Sequence, residues 1–169
     1  EGVIFIRSQN VHFDGLYLDD VVYIDKEIDE EMSSTRVQPN DVLLNITGAS
    51  LGRATVVPES LPPANVNQHV SIIRPNKEKI YPQFLNGVLG SQVVQAQIFS
   101  TENGAAREGL PYSKISNLIF AMPSLLDEQK EIADYLDHQT KQLSDLATKI
   151  GTAIERLQEY RAALISSVV

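Results

Sequence analysis

The chain has 169 residues, 43% of them hydrophobic and 21% charged, with no cysteine and a formal net charge of −8. That is enough apolar material for one packed domain with an appended element, and too little for two large domains. The composition excludes a disulfide framework and thiolate chemistry, the longest apolar runs fall short of the roughly 18 residues of a membrane span, and the acidic balance argues against a general nucleic-acid coat.

Val3–Ile6 and Val21–Ile24 read as strands. Residues 14–31 carry eight carboxylates against Lys26, a local charge of −7, while residues 32–126 carry seven Lys/Arg against five Asp/Glu, or +2. The acidic run suits a solvated face turned away from DNA. A metal site is the sharper alternative, but the spacing matches no ligand loop. Pro39-Asn40-Asp41 is a turn, Asp41–Thr47 a buried strand, Gly48-Ala49-Ser50-Leu51-Gly52 a glycine turn, and Arg53–Val57 a returning strand. Leu61–Asn65 reads as a proline-rich loop and Val70–Arg74 as a strand closed by Pro75. Pro82 suits the first turn of a helix whose apolar stripe is Phe84, Leu85, Val88, Leu89 and Val93. Residues 100–111 form a polar loop, and Leu118–Met122 is a last strand ended by Pro123. Many strands with one or two helices predict an α+β domain over residues 1–123.

The pattern changes at residue 124. Ser124 followed by Asp127 is a variant capping box, and heptads run from there to the end. Leu136, Leu143, Ile150, Leu157 and Leu164 recur every seventh residue, with Ile132, Gln139, Leu146, Ala153 and Tyr160 as the companion seam. This predicts a coiled-coil helix over 124–169, roughly 60 Å long at 1.5 Å per residue. The predicted interface is Ile132, Leu136, Leu143, Leu146, Ile150, Leu157 and Leu164, and it calls for a partner helix.

Gly48–Gly52 fits G-x-S-x-G, but a nucleophile elbow needs a helix directly after the serine. Here the chain turns into a strand, so a Ser50 hydrolase is the weakest reading. Glu128-Gln129-Lys130 resembles a nuclease tail but reads as solvated helix surface. Neither a catalytic set, a metal site nor a cofactor site emerges. Polar loops stand out instead: Arg7-Ser8-Gln9-Asn10, Asn65–His69 and Asn103–Gly109. Asn and Gln can pair with adenine and Arg with guanine in the major groove, while Ser and Lys hold phosphates. The candidate DNA contacts are Arg7, Asn10, Thr47, Ser50, Arg53, Asn67, Gln68, Arg107 and Lys114. The alternative is a coiled-coil assembly module with a protein-binding head.

Several segments carry a family resemblance. They are Phe5–Val11, Asp41–Leu44 with Thr47-Gly48 and Gly52-Arg53, Asn67–Val70, Pro123-Ser124-Leu125 with Glu128-Gln129 and Ile132, and Leu157–Ser166. In this order they resemble the specificity subunit of type I restriction–modification systems. The resemblance implies a target-recognition domain reading one half of a bipartite site in double-stranded DNA, followed by a conserved spacer helix. It implies pairing with a second spacer helix, from the other half-subunit or a homodimer partner. Methylation subunits and a motor–nuclease subunit would supply the chemistry, with no cofactor or membrane partner for this chain. It also implies a prokaryotic cytoplasmic setting. The opening at Glu1-Gly2-Val3 and the stop at Ser167-Val168-Val169 read as those of a fragment, one recognition domain plus one helix, from either half. In that family the reading residues vary, so loops transfer better than single positions.

Overall fold

The computed structural model describes residues 2–100 and 109–168. Its architecture is α+β, organised around the apolar run that follows Asp41. This run forms strand β5 (Val42–Asn45), every residue of which is buried. It is the middle strand of an antiparallel sheet, flanked by β6 (Ala54–Val56) and β8 (Val70–Ile73), with Leu43 opposite Thr55 on one side and Ile72 on the other. Successive side chains on a strand point to opposite faces, and β5 uses both. Leu43 joins a core with Ile4, Ile6, Val11, Val57, Ala64, Val66 and Val70. Val42 and Leu44 join a second core with Ala54, Leu85, Leu89, Val94, Ile98 and Leu110.

The first core is walled by β1 (Val3–Ile6), which pairs antiparallel with β4 (Val22–Ile24) and parallel with β7 (Ala64–Val66). A short hairpin, β2 (Val11–His12) and β3 (Gly15–Leu16), follows the first turn. The second core is closed by helices α2 (Pro82–Gly90) and α3 (Gln92–Phe99). Among the described residues, two short helices also precede the long one: α1 (Lys26–Glu31) and α4 (Tyr112–Ile115). Helix α5 (Leu126–Val168) runs for 43 residues. The chain divides into two units, Glu1–Lys130 and Glu131–Val169.

Four expectations about the elements and their bounds need correction. The supposed loop Leu61–Asn65 ends in strand β7, whose three residues are held by parallel pairing to β1, far away in sequence. The stripe from Phe84 does not reach Val93, because Ser91 turns extended after Gly90 and its hydroxyl oxygen accepts from the Val94 N–H, starting a new helix. That helix buries Val94 and Ile98 and leaves Val93 exposed. Leu118–Met122 is not a strand: the Gln97 side chain takes the place of a neighbouring strand, accepting from the Ile119 N–H at 2.8 Å and donating to its carbonyl at 2.7 Å. The long helix starts at Leu126, two residues past the expected cap Ser124.

The tripeptide Glu128-Gln129-Lys130 is only partly solvated surface. Glu128 and Lys130 are exposed, but Gln129 is fully buried. Its Oε1 accepts from the Tyr81 N–H (2.8 Å), and its Nε2 donates to the carbonyls of Lys79 (3.1 Å) and Pro123 (2.8 Å). The amide ties the entrance of α2 to the chain before α5, all within the first unit.

On α5 the seam residues Leu136, Leu143, Leu146, Ile150, Leu157 and Leu164 are exposed, and Ile132 is half-buried. An apolar stripe in water at this spacing is the condition in which a coiled-coil partner is favoured.

Candidate nucleic-acid interface

Strand directions bring the polar loops together. β1 and β7 are parallel, so the turns after Ile6 and Val66 leave from the same end of their sheet. The Asn67 N–H donates to the Ile6 carbonyl at 3.0 Å. β5 runs antiparallel to β8, so Asn45, at the end of β5, lies opposite Val70, at the start of β8. The Thr47–Gly52 turn therefore sits beside the Asn67–His69 turn, where Thr47 Oγ1 and His69 Nδ1 are 2.8 Å apart. Leu110 joins them at the same place, where its N–H donates to the Ile46 carbonyl at 2.7 Å.

Glycine is required where these segments close on one another. Gly109 has φ +78°, and a Cβ there would come within 2.5 Å of Thr47 Cγ2 and 2.8 Å of the Ile46 carbonyl oxygen. Gly52 has φ +82°, and a Cβ would meet the Gln95 amide. That amide reaches over from α3 and donates to the carbonyls of Gly52 (2.9 Å) and Leu89 (2.6 Å).

The predicted contact residues divide by what their side chains do. Asn10 is 2% exposed. Its Oδ1 accepts from the Arg7 N–H (2.9 Å), and its Nδ2 donates to the Tyr17 (2.9 Å) and Asp20 (3.3 Å) carbonyls. Its work is to hold its own turn. Arg7 donates to the Asp20 carbonyl at 2.7 Å and lies 3.4 Å from the Asp20 carboxylate. The Asn67 carbonyl oxygen Oδ1 caps the His69 N–H at 3.1 Å. Thr47 is engaged with His69. Among the described residues, the Ser50 hydroxyl, the Arg53 guanidinium, the Gln68 amide and the Lys114 amine carry no such bond. Ser50 and Arg53 are half-buried, while Gln68 and Lys114 are exposed. Lys114 lines a cleft of about 400 Å³ with Gln97, Ser100, Leu110, Ser113 and Asn117. Arg107 and most of the Asn103–Gly109 loop lie outside the described residues.

Two features of the acidic run depart from a solvated, averted face. Asp20 lies at the site itself, where it also accepts from Gln9 Nε2 at 2.8 Å. Asp29 is buried, where its carboxylate meets Arg36 at 2.6 Å and accepts from Asn65 Nδ2 at 3.0 Å. The Arg36 guanidinium, and then the Asn65 amide, hold the Asp29 carboxyl below its ordinary range. Hydrogen bonds to Asp29 and Glu30 push Arg36 further up in turn. Asn65 spends its whole amide here and is core, despite its place in the Asn65–His69 cluster. Arg74 grips the buried Asp41 with two nitrogens at 2.7 and 2.8 Å, which raises its own pKa. In the hairpin, the hydrogen bond to Asp14 lifts the Tyr17 phenol above its usual value.

Gly48–Ser50 is one turn of 3₁₀ helix between antiparallel strands, and His69 engages Thr47 rather than Ser50. This geometry is not that of a nucleophile elbow.

Residues 8–156 match the model of the type I restriction modification DNA specificity domain. The chain belongs to this family. The specificity subunit of the type I restriction enzyme EcoBI from Escherichia coli is 26% identical over 166 residues, which is 98% of this chain and 34% of that protein. The HsdS subunit from Thermoanaerobacter tengcongensis superposes with a TM-score of 0.68 at 16% identity, covering 86% of this chain and 37% of the other. A chain from a structure on complex assembly and conformational transition of the type I R-M system gives 0.67 at 16%, covering 86% and 38%. These superpositions establish that the specificity domain described here shares their fold. The chain spans about a third of the length of the relatives it matches.

Sequence reasoning missed the residues that hold the site rather than face outward. Asn45 and Gln95 are both of this kind. For Asn45 a signal existed: one amide inside the apolar run Val42–Ile46.

Proposed function

We propose that this chain reads one half of a bipartite site in double-stranded DNA as part of a type I specificity subunit. The observation that carries the reading is the convergence of the Arg7–Asn10, Thr47–Gly52 and Asn67–His69 turns at one end of the sheets. Loops on a rigid β scaffold are the usual place for recognition. The free groups there, Ser50, Arg53 and Gln68, suit phosphates and base edges. Asn10 acts inside its turn instead of on DNA, and Arg7 is shared with Asp20. In this reading the chain performs no catalysis, and methylation and motor–nuclease subunits act around it. The exposed seam of α5 pairs with a second spacer helix, sets half-site separation and docks the methylation subunits. Two rigidly linked readers impose a fixed spacing on their target.

The test is sedimentation of the chain together with sequencing of duplexes retained from a randomised pool. The pool is presented to the chain alone and to the chain assembled with methylation subunits. An associating chain that enriches an interrupted motif is the expected result. No enrichment in either form would overturn the DNA reading, and a monomer at high concentration would overturn the spacer reading. Exposed Val93, Ile119 and Leu125 on the first unit favour a second reading, a protein-binding head. Protein capture without motif enrichment would select it.

A further inference from the structure

Asn45 is an unusual residue for its position. It closes the most buried strand in the molecule and has no exposed surface. A Val or Leu would serve that place better as core. Its Nδ2 makes one bond, to the Ser8 carbonyl at 2.7 Å. Among the described residues its Oδ1 is buried with no hydrogen-bond partner, and so is the Nε of Arg7, the residue before Ser8. Its backbone closes the adjacent turn: the Asn45 carbonyl accepts from Gly52 N–H (2.9 Å), and its N–H donates to the Arg53 carbonyl (2.8 Å). One residue therefore grips two of the converging turns, the Thr47–Gly52 turn by its main chain and the Ser8–Asn10 turn by its side chain.

An orphaned buried acceptor is a liability that a structure tolerates when the group gains something else. What Asn45 gains is a fixed distance between the two turns. We propose that Asn45 is a positioning residue for sequence discrimination, setting the Ser8–Asn10 turn against the turn that carries Ser50 and Arg53. This rests on the DNA reading above. Base readout depends on donors held within tenths of an ångström, whereas phosphate attraction does not. Loosening the clasp therefore affects discrimination more than general affinity.

The experiment compares wild type with Asn45→Leu in the assembled form that enriches a motif. Leucine keeps the branched four-atom side-chain skeleton with bulkier methyl groups in place of the amide, removes the clasp and also removes the orphaned oxygen. The melting temperature is expected to stay within a few degrees. The ratio of affinities for the enriched duplex and a scrambled one is expected to fall about 10-fold, the scale of one lost base-pair discrimination. Affinity for the scrambled duplex and its salt dependence should not move. If Asn45→Leu gives no cooperative melt, Asn45→Val, smaller and strand-favouring, is measured in its place. An unchanged ratio beside a discriminating wild type overturns this inference alone. Equal losses on both duplexes also overturn it, since they mark a purely structural residue. A wild-type chain that does not discriminate overturns the DNA reading and this inference with it.

Discussion

Replacing Gln129 by leucine should destabilise the first unit without changing its shape. The side chains have similar volume, so the cost is that of three backbone groups losing their partner. Those groups are the Tyr81 N–H and the carbonyls of Lys79 and Pro123. A net hydrogen bond is worth about 1 kcal/mol, and leaving a buried group unpaired costs about 1–3 kcal/mol. Lys79 is exposed, so its carbonyl can turn to water, while Tyr81 and Pro123 are half-buried. The sum is about 2–4 kcal/mol, which for a unit spanning Glu1–Lys130 lowers the melting temperature by roughly 8–15 °C. Near-ultraviolet circular dichroism of the tyrosines on heating reads this directly. Gln129→Glu adds a sign to the test. It keeps the acceptor for Tyr81 but sets a carboxylate oxygen against two carbonyls, so the folded state resists its ionisation. Its folded pKa is then above the unfolded value of about 4.3. Stability is greatest at low pH and falls as pH rises past that value. A Gln129→Leu protein melting within 2 °C of wild type would refute the reasoning, because the buried amide would then be a passenger.

Asp14→Asn should bring the Tyr17 phenol back toward 10.0, since the Asp14 hydrogen bond is the main cause of its upward shift. Absorbance titration of wild type and variant, each against its own Tyr17→Phe background, isolates this group. Asp29 should titrate below the unfolded aspartate value of about 3.9, seen in its carboxyl carbon resonance, and Arg36→Met should raise that midpoint. The favourable linkage of Asp29 is complete above the unfolded value and is lost as pH falls through the lower folded one, so α1 should detach in acid before the cores do. Leu143→Glu with Ile150→Glu should weaken self-association through α5 by at least ~100-fold in sedimentation equilibrium, since a buried side chain of this size contributes about 1.5–3 kcal/mol. No change would mean the seam is not the contact.

What was legible in the sequence was local. The run Val42–Asn45 reads as a buried strand because it is apolar on both faces, and α5 reads as a helix because its repeat persists for more than four heptads. What was not legible depends on partners distant in the chain. Asn65 and Gln129 look like surface residues until Asp29 and Tyr81 arrive, 36 and 48 positions away. β7 is too short to announce itself and exists because β1 lies beside it. Ser91 carried a capping signal, but the apolar residues on either side of it suggested one continuous stripe. At the candidate site, polar composition located the turns at Arg7–Asn10 and Asn67–His69, but Asn65 and Val66, at the head of the second cluster, belong to β7. Composition could not separate Asn10, consumed inside its turn, from Ser50 or Gln68, which face out.

The scaffold holds its converging turns largely by their main chain. Asn45 grips the Ser8 carbonyl, Gln95 the Gly52 carbonyl, Leu110 the Ile46 carbonyl, and Ile46 the His69 carbonyl. Every residue type supplies such a carbonyl. Side chains at Ser8, Gln9, Ala49, Ser50 and Gln68 can therefore be exchanged while these four grips persist. If these turns read DNA as proposed, such a surface can drift from one target to another in single steps, each leaving a folded protein behind it.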